Sequence, residues 1–293
     1  MVKDTLENTK KIVWPIIDSY LKDPLYPTQF QINKRYQKDI NLYWKINKEY
    51  PERKGKYLRP TLVLLISEAL GGNITLASKV AAAMQLSEEW ILVHDDIEDN
   101  SESRRDKPAL HKIYGNELAI NAGDCLHAIM WKIVCDTKSK EINEEFHTML
   151  MRTILGQGVE QIWTSKKIKN ISENSYFFIA DSKSGYYSVA GPMRLGAIAA
   201  GATEDQINKI TEFGLHLGRC FQLVDDILDI EQDKKEGKIT LATHRGKEFA
   251  TNLAIKEREM AKKIFKGKLN FLSRNPARKN LIELIDFIVE REY

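Results

Sequence analysis

The chain has 293 residues and a mass of 33.7 kDa, which is enough for one large domain or two ordinary ones. Hydrophobic residues make up 43% and charged residues 29%, a balance that excludes a disordered chain. Because 44 basic residues nearly match 41 acidic ones and the net charge is only +3, the composition does not favour a nucleic-acid-binding protein.

Turn-forming residues are scarce. The 16 glycines and 8 prolines make up about 8% of the chain, whereas their usual combined share is roughly 12%. Few turns imply long elements, so a sheet fold rich in hairpins is disfavoured. The cysteines Cys125, Cys135 and Cys220 are far apart and lack CxxC spacing, which predicts reduced thiols rather than a zinc site or disulfides. The N-terminal segment lacks the apolar core of a signal peptide, and no run of about 18 apolar residues suggests a membrane span. A cytoplasmic protein with no integral membrane segment is therefore expected.

Apolar residues recur at helical spacing along almost the whole chain. A first helix precedes the segment 22–36, where Pro24 and Pro27 should separate it from the rest. Further helices are predicted at 61–70, 75–99, 115–135, 143–163, 172–200, 204–232, 247–265 and 278–291. The fold class predicted is an all-α bundle of about ten or more helices, forming a single domain over 1–293 in which 1–36 is the N-terminal helix and its proline-containing connection.

Two acidic clusters, DDIED at 95–99 and DDILD at 225–229, each end a long apolar helix with the pattern DDxxD. Residues four apart share a helix face, so the first and fifth residues of each cluster project together and the second lies beside them. The acidic residues of the two patterns are Asp95, Asp96, Asp99, Asp225, Asp226 and Asp229.

Carboxylates packed this closely repel one another, and a divalent cation removes that repulsion. Mg²⁺ prefers a few carboxylates together with substrate phosphates, so two such clusters facing each other could hold a polyphosphate. One copy could equally be a solvated helix end. Two copies 130 residues apart, each followed by basic residues, favour a metal-assisted diphosphate site.

Basic residues surround these clusters in the sequence, and Arg forks and Lys point charges suit diphosphates. Arg104 and Arg105 follow the first cluster, and Lys238 follows the second. Lys56 and Arg59 are three apart and would share a face if a helix starts there. Lys183, followed by Ser184, lies within a helix of small and aromatic residues.

Six segments together carry a resemblance to a known family. They are GKYLRP (55–60), LVHDDIEDNSESRRDKPALHKIYG (92–115), AGDCLH (122–127), GQGVEQ (156–161), KSGYY (183–187) and FGLHLGRCFQLVDDILD (213–229). In order and spacing the chain resembles a trans-isoprenyl diphosphate synthase of the polyprenyl synthetase family, from Gly55 to about Lys247. The resemblance implies an all-α fold around a deep central cavity, a homodimer, and a prenyltransferase of isoprenoid biosynthesis.

The resemblance also implies residue roles. Two or three Mg²⁺ ions would be held by Asp95, Asp96, Asp99, Asp225 and Asp229. The allylic diphosphate would be held by Arg104, Lys183 and Lys238, with Gln222 beside it. The diphosphate of isopentenyl diphosphate would be bound by Lys56, Arg59 and Arg105. Asp226 completes the second catalytic motif, and Ser184 keeps the hydroxyl of a common threonine.

The chemistry implied is ionisation of the allylic C–O bond, with metal and cations taking up charge on the departing diphosphate. The double bond of isopentenyl diphosphate then attacks the carbocation, and the released diphosphate can remove the proton. No side-chain nucleophile is needed, and a dry cavity protects the cation from water.

Several positions depart from the family pattern. Glu88, seven residues before Asp95, stands where relatives often carry a histidine that helps bind isopentenyl diphosphate. A carboxylate there should repel a diphosphate unless a lysine or arginine neutralises it. Asp106 replaces the glycine usual after the arginine pair, and the loop after Lys238 is one residue shorter than expected.

Residues just before the first cluster act as a floor for the growing chain in this family. Trp90 and Ile91 are five and four residues before Asp95, and five residues along a helix span about 7.5 Å. The resemblance therefore suggests a geranylgeranyl (C20) product, with farnesyl (C15) next. The alternative is that Trp90 is a core aromatic residue facing another helix.

Two other functions stay open. A class I terpene cyclase shares DDxxD and Mg²⁺, but its second motif is normally an Asn/Asp-Ser/Thr-Glu triad and it lacks a second diphosphate substrate. A non-catalytic regulatory subunit of a heteromeric prenyl synthase typically loses one acidic motif, whereas both are intact in this chain.

Overall fold

A computed structural model describes residues 2–24, 33–166, 168, 171–273 and 275–289. The described residues are predominantly helical, and this confirms the all-α fold class. The helices are α1 (Val2–Leu21), α2 (Gln37–Arg53), α3 (Leu58–Ala69), α4 (Ile74–Glu98), α5 (Leu110–Tyr114), α6 (Asn116–Cys135), α7 (Lys140–Ser165), α8 (Glu173–Ala180), α9 (Gly191–Ala199), α10 (Glu204–Leu228), α11 (Ile230–Glu236), α12 (Leu241–Arg245), α13 (Lys247–Lys268) and α14 (Pro276–Val289).

The chain groups into two compact units. The first contains residues up to Thr5, Leu62–Ala77 and residues from Ser139 onward, and the second contains Leu6–Thr61 and Ser78–Lys138. The single domain expected over the whole chain remains a prediction. Of the proline-containing connection, residues 25–32 lie outside the described residues, and Lys34–Tyr36 form a single 3₁₀ turn.

Most predicted helices are confirmed within a few residues, but two long ones depart from a regular α-helix. The helix expected over 204–232 ends at Leu228, and Asp229 has non-helical ψ before α11 begins. The helix expected over 172–200 is continuous, but its middle part, Asp181–Ala190, is a π-helix. Helical periodicity does not reveal either feature, because apolar residues continue at similar spacing across both.

The segments that follow the two acidic clusters, between predicted helices, are both ordered. Residues 98–110 include an antiparallel hairpin of two short strands, β1 (Ser103–Arg104) and β2 (Lys107–Pro108). Residues 231–247 contain most of α11 and all of α12. Gly237 separates those helices with φ 71°, a left-handed conformation that glycine adopts without steric cost.

In the second unit, α4 is buried on every side over residues 80–87. Alanines and other small side chains occupy much of this stretch, and a helix that is apolar all round belongs inside a protein. The same helix carries the first acidic cluster at its C-terminal end. The motif therefore stands on a rigid element rather than on a loop.

Helix α6 is, within the described part of the chain, the one helix long and apolar enough to cross a membrane by length and composition. In the protein, 44% of that stretch is buried. A core helix of a globular protein passes the same test, so α6 carries no membrane assignment.

In the first unit, glycines allow the π-helix and α10 to approach closely. A Cβ on Gly218 would lie 2.6 Å from the Cα and the carbonyl oxygen of Gly185, and one on Gly214 would lie 2.7 Å from the Cα of Ala190. Such distances leave no room for any side chain. This contact fixes the π-helix, which carries Lys183, against the helix that carries the second acidic cluster.

Gly218→Ala should destabilise the protein by about 1–3 kcal/mol, because the new methyl group would overlap the backbone of Gly185. A thermal unfolding scan should show a lower midpoint. Gly267→Ala on α13 is the matched control, since nothing lies within 4 Å of its Cβ position. The control should stabilise the helix by up to about 1 kcal/mol, and equal effects of the two substitutions would contradict the packing argument.

Candidate active site

The first acidic cluster lies at the end of α4, where the backbone N–H of Asp99 donates to the carbonyl of Asp95 at 2.9 Å. The helical spacing therefore continues through the last aspartate, although α4 itself ends at Glu98. Asp95 and Asp99 are both half-buried. Asp96 differs from them, because its side chain is fully buried.

Asp96 is held by two donors, one from α2 and one from the β1–β2 hairpin. The Tyr50 hydroxyl on α2 donates to Asp96 Oδ2 at 2.5 Å, and Arg104 Nε donates to Oδ1 at 3.0 Å. The Tyr50 hydroxyl also accepts from the backbone N–H of Leu110 at 3.0 Å. Burial and the bond to Asp96 raise the pKa of Tyr50. Arg104, expected to bind a substrate diphosphate, thus pairs with an acidic residue of its own motif.

The arginine pair is positioned by the β1–β2 hairpin, whose two turn residues are Arg105 and Asp106. Both have positive φ, 55° and 62°, as a tight two-residue hairpin requires. Asp tolerates this conformation better than most side chains do, which explains how Asp106 can stand where glycine is usual. A Cβ on Gly55 would lie 2.7 Å from Arg105 Nη2, so this glycine leaves room for the guanidinium.

Arg105 forms a two-pronged ion pair with Glu89, with Nη1–Oε2 at 2.9 Å and Nη2–Oε1 at 3.1 Å. Gln85 also donates to Glu89 Oε1, at 2.7 Å. Glu89 is only 1% exposed, and burial raises its pKa to about 7 despite these donors. The guanidinium additionally donates to the Tyr50 carbonyl at 3.1 Å. Arg105 is therefore fixed in place by a buried partner.

Glu88 contacts arginine side chains, which can neutralise a carboxylate that would otherwise repel a diphosphate. Its Oε1 lies 3.1 Å from Arg59 Nη1 and 4.0 Å from Arg105 Nη2. Lys56 is exposed and precedes α3, which begins at Leu58, and Tyr57 between them has φ 61°. Lys56 and Arg59 consequently do not share a helical face, because the chain enters the helix only after Lys56.

The predicted floor residues lie on the buried part of α4. Trp90 is 8% exposed, and its ring lies edge-on to the rings of His127 on α6 and His94, with centroids 4.8 and 5.8 Å apart. Trp131 Nε1 donates to His127 Nε2 at 2.9 Å, and burial lowers the pKa of His127. Ile91 is half-buried. Trp90 thus packs against a neighbouring helix, whatever further role it has.

The second acidic cluster, in the first unit, repeats the design of the first. The N–H of Asp229 donates to the Asp225 carbonyl at 2.9 Å, and the middle residue Asp226 is buried. Its carboxylate accepts from the Tyr176 hydroxyl and from Gln222 Nε2, each at 2.6 Å. Burial raises the pKa of Asp226 to about 7. Asp225 is half-buried and Asp229 is exposed.

A cavity of about 90 Å³ lies beside Asp226 in the first unit. Lys183 lines it and donates to Glu160 Oε2 at 2.6 Å. The polar residues that line the cavity are Glu160, Tyr176, Lys183, Ser184, Gln222, Asp226 and Thr240. The structure therefore brings together four residues that were singled out separately in the sequence, Lys183, Ser184, Gln222 and Asp226.

Lys238 is half-buried and directly follows the left-handed Gly237. Its N–H donates to the Asp233 carbonyl at 2.9 Å. Two residues on, Thr240 caps α12 by accepting from the N–H of Thr243 at 3.2 Å. The shortened loop is thus closed by local hydrogen bonds.

Within the described residues, no three acidic, histidine or cysteine side chains are gathered into a ready-made metal site. Mg²⁺ needs no such cage, because it retains waters and shares its ligands with substrate phosphates. Each motif presents two carboxylates outside the core, four residues apart, beside a buried third one. This donor set fits a hard cation bound together with a phosphate.

Sequence reasoning missed four residues of these arrangements: Tyr50, Glu89, Glu160 and Tyr176. The two tyrosines lie 46 and 50 residues from the aspartates that they contact, and no local pattern links them. Glu160 lies within the segment GQGVEQ, three residues after Gln157. This helical spacing could have indicated that Glu160 belongs to the site. Glu89 adjoins Glu88, but burial distinguishes the two only in the structure.

The comparisons with known proteins identify the family. The model of the polyprenyl synthetase family matches residues 41–280, so the chain belongs to the polyprenyl synthetase family of trans-isoprenyl diphosphate synthases. It is accordingly a prenyltransferase.

Several relatives resemble the chain over most of its length. A short chain isoprenyl diphosphate synthase of Methanothermobacter thermautotrophicus is 29% identical, over 82% of this chain and 87% of its own. A geranylgeranyl diphosphate synthase of Cyanophora paradoxa is 31% identical, over 81% of this chain and 83% of its own. The solved geranylgeranyl pyrophosphate synthetase of Geoglobus acetivorans superposes with a TM-score of 0.82 at 25% identity, over 98% of this chain and 99% of its own.

Tyr176→Phe should destabilise the protein by about 1–3 kcal/mol at pH 8, because a buried carboxylate loses a donor. The raised pKa of Asp226 means that its burial lowers stability as the pH rises from about 4 to about 7. The cost of Tyr176→Phe should therefore shrink at pH 5, where Asp226 is neutral. Thermal scans at both pH values measure this.

Tyr20→Phe is the matched control for that substitution. Tyr20 donates to Asp136 at 2.7 Å, but this pair is only partly buried, so water can replace the hydroxyl. A smaller loss is expected, with little difference between pH 5 and pH 8. A larger loss for Tyr20→Phe than for Tyr176→Phe would contradict the role given to burial.

Proposed function

We propose that the protein condenses isopentenyl diphosphate with an allylic diphosphate and releases a short-chain prenyl diphosphate. Membership of the polyprenyl synthetase family supports this function. The observation that carries it furthest is the repeated design of the two acidic motifs. Each has a buried aspartate under a tyrosine hydroxyl and two further aspartates outside the core.

We assign Asp95, Asp99, Asp225 and Asp229 as the principal carboxylates for two or three Mg²⁺ ions, with Asp96 completing the first set. Bound Mg²⁺ would neutralise charge on the allylic diphosphate and make it a better leaving group. Asp96 and Asp226 are hydrogen-bonded inside the protein, and this supports a role in fixing the helix ends that carry the other aspartates. Arg104 neutralises Asp96, and we assign it to the same diphosphate.

Cationic and amide side chains would complete the allylic diphosphate site. Lys183 and Gln222 line one cavity with Ser184, which supports their joint role. In that cavity the Lys183 ammonium pairs with Glu160, so it is held in place before any substrate arrives. Lys238 would reach the diphosphate from the loop after the second motif. Donors placed in advance stabilise the charge that develops as the C–O bond breaks.

Lys56, Arg59 and Arg105 would bind the diphosphate of isopentenyl diphosphate. Arg105 is fixed by Glu89, and Arg59 is held by Glu88. The double bond of isopentenyl diphosphate attacks the primary carbon of the allylic carbocation, which forms the new C–C bond and leaves a tertiary carbocation. The departed diphosphate then takes a proton from the carbon next to that tertiary centre, which forms the new double bond. Charge and atoms therefore balance without a protein nucleophile.

We further propose a C20 or C15 product, limited by Trp90 with Ile91 beside it. The burial of Trp90 and its contacts with His127 and His94 support a rigid obstacle, because the indole has little room to rotate. Relatives that carry geranylgeranyl synthase names agree with C20.

The two alternatives predict different behaviour. A class I terpene cyclase would consume an allylic diphosphate alone, and the plain DDILD of the second motif argues against it. A regulatory subunit would show no turnover without a partner chain, and the presence of both acidic motifs argues against that function.

We propose a homodimer, in agreement with the family resemblance. Helix α7 supports it, because large apolar side chains on one face of that helix are 43–60% exposed. The residues concerned are Met151, Ile154, Leu155 and Ile162. They are spaced three, four and seven residues apart, as on one helical stripe, and a second chain could cover them. The cytoplasmic location remains a prediction.

Purified protein incubated with Mg²⁺, isopentenyl diphosphate and a C5, C10 or C15 allylic primer should release diphosphate and form a longer prenyl diphosphate. Chelation with EDTA should abolish turnover, and Asp95→Asn should reduce kcat by at least about 100-fold, the scale of losing one group that stabilises transition-state charge. Glu144→Gln, an exposed residue of α7, should retain wild-type kcat. Absence of turnover with every primer would reject the function.

Trp90→Ala should lengthen the product by at least one C5 unit, because removal of the indole opens space about 7.5 Å along the helix from Asp95. Thin-layer chromatography of radiolabelled products measures chain length. Trp44→Ala is the matched control, since Trp44 is similarly buried at 9% exposure but lies on α2. An unchanged product from Trp90→Ala, or an equal lengthening from Trp44→Ala, would remove Trp90 as the determinant.

A further inference from the structure

Two adjacent glutamates of α4 contact the arginines assigned to the second diphosphate, and they do so in different ways. Glu89 is 1% exposed and forms the two-pronged pair with Arg105. Glu88 is 16% exposed and makes a single contact with Arg59 at 3.1 Å, together with a distant one to Arg105 at 4.0 Å. One glutamate is therefore part of the core, and the other lies nearer to solvent.

The bonding of Glu88 is incomplete. Its Oε1 faces both arginines, but its Oε2 is buried and has no hydrogen-bond partner among the residues that the structure describes. A buried carboxylate oxygen without a donor is costly, because it has lost water and gained nothing in return. Glu89, by contrast, accepts from Arg105 through both oxygens and from Gln85.

The two carboxylates offset much of the positive charge at this place. Arg59 and Arg105 contribute two positive charges, and Glu88 contributes a negative one directed at both of them. Burial raises the pKa of Glu89 to about 7, so its negative charge is partial near neutral pH. An incoming diphosphate would meet arginines whose forks already face a carboxylate. The Arg59–Glu88 contact must therefore be broken or shared when a diphosphate binds, and this makes binding less favourable.

We propose that Glu88 is an internal competitor for the second diphosphate and weakens the binding of isopentenyl diphosphate, whereas Glu89 positions Arg105 for that ligand. This inference rests on the proposed function, because it takes Arg59 and Arg105 as diphosphate-binding residues. Because of Glu88, a higher concentration of isopentenyl diphosphate is needed to fill the site. Its neutral replacement leaves both guanidiniums available to phosphate oxygens.

The test is direct binding of isopentenyl diphosphate in EDTA, measured by isothermal titration calorimetry, so that neither metal nor turnover is needed. Glu88→Gln should lower Kd about tenfold, which corresponds to about 1.4 kcal/mol. Glu88→Ser provides a second variant, and it should act in the same direction. Glu89→Gln should raise Kd, because Arg105 loses its two-pronged partner.

Steady-state kinetics with Mg²⁺ and an allylic primer supply the second readout. Glu88→Gln should lower KM for isopentenyl diphosphate and leave KM for the allylic primer unchanged. Glu144→Gln on α7 is the charge-matched control and should change neither constant. Circular dichroism confirms that each variant is folded.

The outcomes separate the two proposals. An unchanged or raised Kd in both Glu88 variants, with normal turnover of the wild-type enzyme, would overturn the competitor role and leave the proposed function intact. A lowered Kd for the allylic diphosphate as well would overturn it too, because the effect would not be specific to the second site. Absence of wild-type turnover with any primer would instead contradict the proposed function itself.

Discussion

The hydrogen bond from a buried tyrosine to the middle aspartate is the constraint on which each acidic motif depends. Three carboxylates at the C-terminal end of a helix face mutual repulsion and an unfavourable helix dipole. Tyr50 and Tyr176 take one carboxylate of each set into the core, where Arg104 or Gln222 adds a second donor. The remaining aspartates are thereby held at fixed helix ends.

Charge pairing extends this arrangement to the basic residues. Lys183 meets Glu160, Arg104 meets Asp96, and Arg105 meets Glu89. A substrate-binding cation that is already paired costs less to keep in a half-buried site, but it offers less net charge to an anion. Three of the basic residues proposed to bind diphosphates are thus neutralised locally by acidic partners. If these residues bind a diphosphate, its affinity depends on which of the ion pairs break when it binds.

The sequence was sufficient to predict the helical fold and to select the two acidic motifs, since both follow from short-range spacing. Lys183, Ser184, Gln222 and Asp226 could also be selected, and they line one cavity. Contacts between residues that lie far apart in the chain could not be derived, and Tyr50 is an example because its partner is 46 residues away. The arginine hairpin and the break at Asp229 were also missed, because backbone angles there follow tertiary packing rather than apolar periodicity.

The π-helix Asp181–Ala190 has a consequence for how this helix can vary. A bonding pattern of i to i+5 accommodates more residues per turn than an α-helix does, so the side chains before and after the segment are out of phase. One added or deleted residue could be absorbed by changing the number of such bonds, without breaking the helix. Insertion or deletion of one residue could therefore change the direction in which Lys183 points from the helix axis. The close contact between Gly185 and Gly218 would keep the distance between the π-helix and α10 the same.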